Sequence, residues 1–136
     1  MLLEMDVINA VVKYLEKVKG YGIKHAVKST KEKGVDIEVY LPDRKLLKIE
    51  AKGQTSSDSH STRYNKEFSS NQKLDHVSKA LYATCTYITH GNVGGIALPG
   101  DCKHRELVER IDKTIKTLRI RVFFVDVDTR EVDEYS

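Results

Sequence analysis

Residues 34–53 read GVDIEVYLPDRKLLKIEAKG, two short runs of alternating apolar and polar residues joined by Pro42-Asp43-Arg44-Lys45. Proline and aspartate favour a turn, and the period of two marks strands, so the spacing predicts a β-hairpin of Val35–Leu41 and Leu46–Lys52. Side chains alternate across a strand. Val35, Ile37, Val39 and Leu41 therefore share a core face, as do Leu47, Ile49 and Ala51. The opposite face carries Asp36, Glu38 and Tyr40 on one strand and Lys48, Glu50 and Lys52 on the other.

Both core faces must lie on the same side of the sheet, so the numbers of directly opposed residues must sum to an even value. Asp36 and Glu50 then share a face in every permitted register. A three-residue turn centred on Asp43 sets them directly opposite and pairs Glu38 with Lys48; this is the favoured register. A turn two residues longer sets Asp36 opposite Lys52 and diagonal to Glu50. Opposed Cβ atoms lie about 5 Å apart and diagonal ones about 7 Å, both within reach of one metal ion. Two such carboxylates repel unless they are protonated or neutralised, and a divalent cation with hard oxygen ligands, Mg²⁺ above all, is the usual remedy. The same residues also suit the solvated side of a hairpin with cross-strand ion pairs. Local pattern alone favours that plainer reading.

Outward from the hairpin, Met5, Ile8, Val11, Val12, Leu15 and Val18 fall at helical spacing and Gly20-Tyr21-Gly22 ends the pattern. Ile23–Val27 reads as a short strand, followed by a lysine-rich connection. Residues 53–71 turn polar and serine-rich, which predicts a long mobile loop. Leu74, Val77, Leu81 and Cys85 mark a second helix, Val93–Leu98 a buried strand, and Leu107, Val108, Ile111, Ile115 and Leu118 a third helix. Ile120–Val127 reads as a central strand. The order predicts a mixed α/β domain with an antiparallel start and later parallel strands joined by helical crossovers.

With 136 residues, 40% hydrophobic and 32% charged, the chain suits a single folded domain over 1–136. A net charge of +3 is too small to argue for nucleic acid, yet lysines crowd residues 13–33 and carboxylates crowd the last eleven. No apolar run reaches membrane-spanning length and the start lacks a secretory pattern, so the expectation is an intracellular, cytoplasmic protein with no membrane partner. Cys85 and Cys102 stand apart with no CxxC, and the five histidines form no HExxH or HxxxH. No GxxxxGK[ST] or GxSxG is present, so nucleotide-hydrolase and serine-hydrolase chemistry have no motif to rest on.

Gly34-Val35-Asp36-Ile37 followed by Ile49-Glu50-Ala51-Lys52-Gly53, after one amphipathic helix and before another, resembles the PD-(D/E)xK nuclease superfamily with its restriction-endonuclease-like fold. The resemblance spans residues 1 to about 127. It implies an αβββαβ core with a mixed central sheet, here with an added C-terminal helix and strand. Val35 stands where the family usually has proline. The resemblance implies that Asp36 and Glu50 ligate Mg²⁺, for which Mn²⁺ can substitute, that the Ala51 carbonyl adds a ligand, and that Lys52 serves the attacking water or the scissile phosphate. It further suggests Gln72 near the site, and a first-helix glutamate on the metal, with Glu4 the first candidate and Glu16 the second.

The activity so implied is a metal-dependent endonuclease acting on DNA. Phosphate contacts are expected from Lys28, Lys31, Lys33, Arg63, Lys66 and Lys73, with Tyr64 placed for stacking and His60 in the same loop. Archaeal Holliday junction resolvases are of similar size and act as dimers, which suggests a homodimer here, alone or within a larger DNA-processing or defence complex. The rival reading is a non-catalytic nucleic-acid-binding or scaffold subunit of the same fold.

Overall fold

The computed structural model describes residues 1–56 and 64–136. Among them the order is α1 (Glu4–Lys17), β1 (Gly22–Ala26), β2 (Ile37–Tyr40), β3 (Leu46–Ala51), α2 (Ser70–Thr89), β4 (Val93–Pro99), α3 (Cys102–Glu109), α4 (Asp112–Thr117), β5 (Arg121–Val125) and β6 (Val132–Glu134). The six strands form one mixed sheet in sequence order. Strands β1, β2 and β3 pair antiparallel, β3–β4 and β4–β5 are parallel, and β6 closes antiparallel on β5.

The hairpin has the favoured register. Glu38 pairs with Lys48 and Ile37 with Ile49, and the Leu41 N–H donates to the Lys45 carbonyl at 2.9 Å, leaving Pro42, Asp43 and Arg44 as the turn. Arg44 takes the left-handed conformation (φ 71°) that a three-residue hairpin requires, and Asp43 Oδ1 accepts the Lys45 N–H at 3.0 Å. Burial enforces this register. Ile37, Val39, Leu47, Ile49 and Ala51 are all fully buried. A one-residue slip of β3 would expose its three and forfeit roughly 5 kcal/mol of apolar burial, a large part of a small domain's stability.

Two cores flank the sheet. Val7, Ile8, Val11 and Leu15 of α1 cover one face, packing on Ile37, Val39, Leu47, Ile49, Phe123 and Val125. On the other face Val77 and Ala80 of α2, Leu107 and Val108 of α3 and Ile115 of α4 pack on Ile96, Leu98, Val122 and Phe124. In β4, Gly94 lets α2 approach closely, since a Cβ there would meet Thr84 Cγ2 at 2.4 Å.

Four expectations are corrected. The inward stripe of α2 is Lys73, Val77, Ala80 and Thr84, one position away from the apolar stripe, and Leu74 is 50% exposed. The third helix is two, broken at Arg110-Ile111, where Ile111 leaves helical geometry with neither glycine nor proline to mark the place. Strand β5 is interior and buried on both faces as expected, but the acidic end of the chain, where no strand was expected, supplies the edge strand β6. Arg121 holds β6 by a two-pronged pair with Glu134, 2.9 Å in each arm, and Arg105 reaches Asp133 at 3.2 Å. Finally, part of the stretch expected to be mobile is built into the fold. Gly53, Gln54 and Thr55 are buried, Ser56 bridges Tyr64, and the Phe68 N–H donates to the Gln54 carbonyl at 2.7 Å.

Candidate functional site

The centre lies at the C-terminal end of β3. Asp36 sits one residue ahead of β2, where its backbone carbonyl accepts the Val27 N–H at 2.9 Å and its Oδ2 accepts the Ala51 N–H at 2.8 Å. Glu50 lies on the same face of the sheet, and Tyr87 of α2 donates a hydrogen bond to its Oε1. Glu4 comes from the opposite layer. Gly53 makes this possible, because α1 begins directly against it: a Cβ at position 53 would fall 2.6 Å from the Glu4 nitrogen and 2.8 Å from the Leu3 carbonyl carbon. Gln54 completes the joint, its backbone N–H donating to the Leu2 carbonyl at 2.8 Å while its Oε1 accepts the Leu2 N–H at 3.0 Å.

The electrostatics register this convergence. Burial, then the charges of Asp36 and Glu50, push the Glu4 carboxyl up to about 7 against the pull of Lys52. Burial likewise raises Asp36, opposed by the Ala51 N–H and Lys52. It raises Glu50 as well, aided by Asp36 and opposed by the Tyr87 hydroxyl and Lys52. Three carboxylates whose ionised forms are penalised, with one lysine among them, make a centre that would gain from a cation. Among the described residues no three His, Cys, Asp or Glu side chains gather into a ligand shell of their own. Two carboxylates with waters is the arrangement Mg²⁺ accepts, so the donor set fits that ion.

Beside the carboxylates a cleft of about 300 Å³ is lined by Glu4, Thr30, Lys52, Gly53, Thr55, Ser56, Phe68 and His76. Thr30 belongs to the β1–β2 connection that also carries the exposed Lys28, Lys31 and Lys33. Tyr64 and Lys66 are exposed, whereas Arg63 and His60 lie outside the described residues. A larger open groove of about 730 Å³, between α1 and residues 129–132, shares no residue with this cleft.

Lys73, expected at phosphates, and Gln72, expected near the site, have other duties. Lys73 is buried and ion-paired to Glu67 and, at 3.2 Å, to Asp101, so it is not an exposed cation. Gln72 Oε1 accepts the Ser69 N–H at 2.8 Å while Ser69 Oγ accepts the Gln72 N–H at 3.2 Å, a reciprocal cap on the start of α2. Glu16 is exposed in the last turn of α1, three turns from Glu4. Glu38 is structural as expected, lying 3.8 Å from both Lys24 and Lys48.

Tyr87 and His76 went unforeseen. Tyr87 continues the inward stripe of Lys73, Val77, Ala80 and Thr84 at helical spacing, and that polar-interrupted stripe was the signal for it. His76 stacks edge-on against Phe68, with centroids 4.5 Å apart. Burial, then the nearby charge of Lys52, lowers its pKa.

The chain matches no family model, no curated protein and no solved structure. No helix among the described residues is long and apolar enough to cross a membrane.

Proposed function

We propose that the chain is a Mg²⁺-dependent endonuclease of the PD-(D/E)xK type, with a restriction-endonuclease-like core, that hydrolyses phosphodiester bonds in DNA. The convergence of Asp36, Glu50, Lys52 and Glu4 at the end of β3, from three separated stretches of sequence, carries this reading. The element order α-β-β-β-α-β up to β4 supports it. Asp36 and Glu50 would hold the ion, with the Ala51 carbonyl as a further ligand, while Glu4, which does not join them in a three-carboxylate shell, would add negative charge beside it. When bound, the ion would supply an activated water and charge stabilisation on the phosphate. Lys52, in the cleft wall, offers a fixed positive charge to the phosphate or to the water. Lys28, Lys31 and Lys33 are exposed in the same connection as Thr30 of the cleft wall and would offer cations to a polyanionic backbone.

A panel of duplex, single-stranded, flapped and four-way DNA, each with Mg²⁺, Mn²⁺ or EDTA, tests the proposal. Metal-dependent cleavage of at least one substrate is expected. Salt-sensitive binding without cleavage of any would replace it with the scaffold reading.

A further inference from the structure

Tyr87 has no part in the chemistry proposed above, yet its hydroxyl is placed on one of the two carboxylates that chemistry needs. Its position is fixed from several sides. The Asn92 Nδ2 donates to the Tyr87 carbonyl at 3.3 Å. Lys48 Nζ lies 5.9 Å from the centre of its ring, and Lys48 is itself 3.8 Å from Glu38. The phenol therefore reaches Glu50 from the N-terminal side of β3, between the sheet and α2. Its O–H donates to Glu50 Oε1 and leaves Oε2 as the oxygen without that partner.

Asp36 is held in a parallel way, with Oδ2 committed to the Ala51 N–H. Each carboxylate thus gives one oxygen to the fold. Ca²⁺ takes six to eight oxygen ligands and readily uses a carboxylate through both oxygens, while Mg²⁺ is smaller, octahedral and content with single oxygens and waters. A hydrogen bond that engages one oxygen of each carboxylate therefore discriminates by coordination style rather than by charge.

We infer that Tyr87 is a positioning residue that holds Glu50 to single-oxygen ligation and thereby favours Mg²⁺ over Ca²⁺ at this centre. The inference rests on the metal site proposed above. Partners that orient a ligand in this manner typically alter metal affinity 10–100-fold when removed.

Calorimetric titration of the full chain with MgCl₂ and with CaCl₂, for wild type and Tyr87→Phe, tests it without any need for cleavage. In Tyr87→Phe the ratio of Kd for Ca²⁺ to Kd for Mg²⁺ should fall at least about tenfold, with Mg²⁺ binding weakened. A general loosening of the fold would weaken both ions and leave the ratio in place, so an unchanged ratio overturns the inference while wild-type binding upholds the site. If wild type binds neither ion, the metal site itself fails and the inference falls with it. Thermal melts verify folding, and should Tyr87→Phe be unfolded, Tyr87→Met, which also lacks the hydroxyl, carries the same comparison.

Discussion

The carboxylate of Asp36 accepts the backbone N–H of Ala51 at 2.8 Å, which ties the connection ahead of β2 to the last residue of β3. The bond does not depend on charge, because an amide oxygen can accept in its place. Asp36→Asn should therefore keep the clamp, and Glu50→Gln should keep an acceptor for Tyr87. Burial penalises the ionised form of both carboxyls, so each amide variant should melt at or above the wild-type temperature at pH 8. Mg²⁺-dependent cleavage should fall at least about 100-fold in each, a typical cost of removing one preorganised electrostatic group. Cleavage assays beside thermal melts decide it; full activity in either variant would refute the assignment.

Glu4 supplies a pH signature. Its folded-state pKa, about 7, lies above the ordinary 4.5, so between those values the folded chain holds a proton that the unfolded chain has lost. Stability from this group is complete below about pH 4.5 and declines as pH rises towards 7. Glu4→Gln should accordingly be more stable than wild type at pH 8, by roughly 1–2 kcal/mol after allowing for the solvent that screens a partly exposed group, and nearly equal at pH 4.5. Mg²⁺ should raise the wild-type melting temperature more at pH 8 than at pH 5.5, since ionised carboxylates bind it. Urea denaturation at both pH values measures the first effect, and melts with and without MgCl₂ the second.

Lys73 anchors a buried polar cluster. Asp101 accepts from Lys73, from Gln54 Nε2 at 2.9 Å, and from the His104 backbone at 2.8 Å and ring Nδ1 at 2.8–2.9 Å. Burial would raise the Asp101 pKa, but the His104 and Gln54 hydrogen bonds hold it well below the usual carboxylate range. Lys73→Met removes one cation and leaves Glu67 and Asp101 short of a partner, which should destabilise the fold by about 3 kcal/mol. DNA affinity at a temperature where the variant is folded should be unaffected. Filter binding and chemical denaturation separate the two effects.

Lys28, Lys31 and Lys33 give the opposite profile. All three are exposed in the β1–β2 connection, so their joint replacement by alanine should leave the melting temperature within a few degrees of wild type. Affinity for DNA should drop, and the slope of log K against log salt should become shallower by about 0.9 for each phosphate that is no longer neutralised. Fluorescence anisotropy across a salt series reads this slope directly.

The hairpin, its register and the polar face carrying Asp36, Glu38, Lys48 and Glu50 were legible in the sequence because β-parity is an integer constraint that burial enforces. The face of α2 was not. Its inward stripe contains Lys73 and Thr84, which satisfy their polar atoms inside the fold, Thr84 Oγ1 donating to the Ala80 carbonyl at 2.8 Å. An apolar-spacing rule reads such residues as outward and shifts the helix by one position, which hid Tyr87. Strand β6 was hidden for a related reason: Asp133 and Glu134 look like a solvated acidic tail until Arg105 and Arg121 are found opposite them. Glu4 was named at the site through the family resemblance, whereas the close approach of Gly53 that seats it there is a tertiary fact with no local pattern.

Gly53 offers no functional group, yet backbone atoms of residues 2–4 fill the space where any side chain would stand. In a saturation-mutagenesis map scored by activity, position 53 should be as dark as Glu50. A score alone would rank it among the reactive residues. Only paired abundance data would reveal that the same position governs how the chain's first residues are seated, and that inheritance of activity here depends on an atom that is missing.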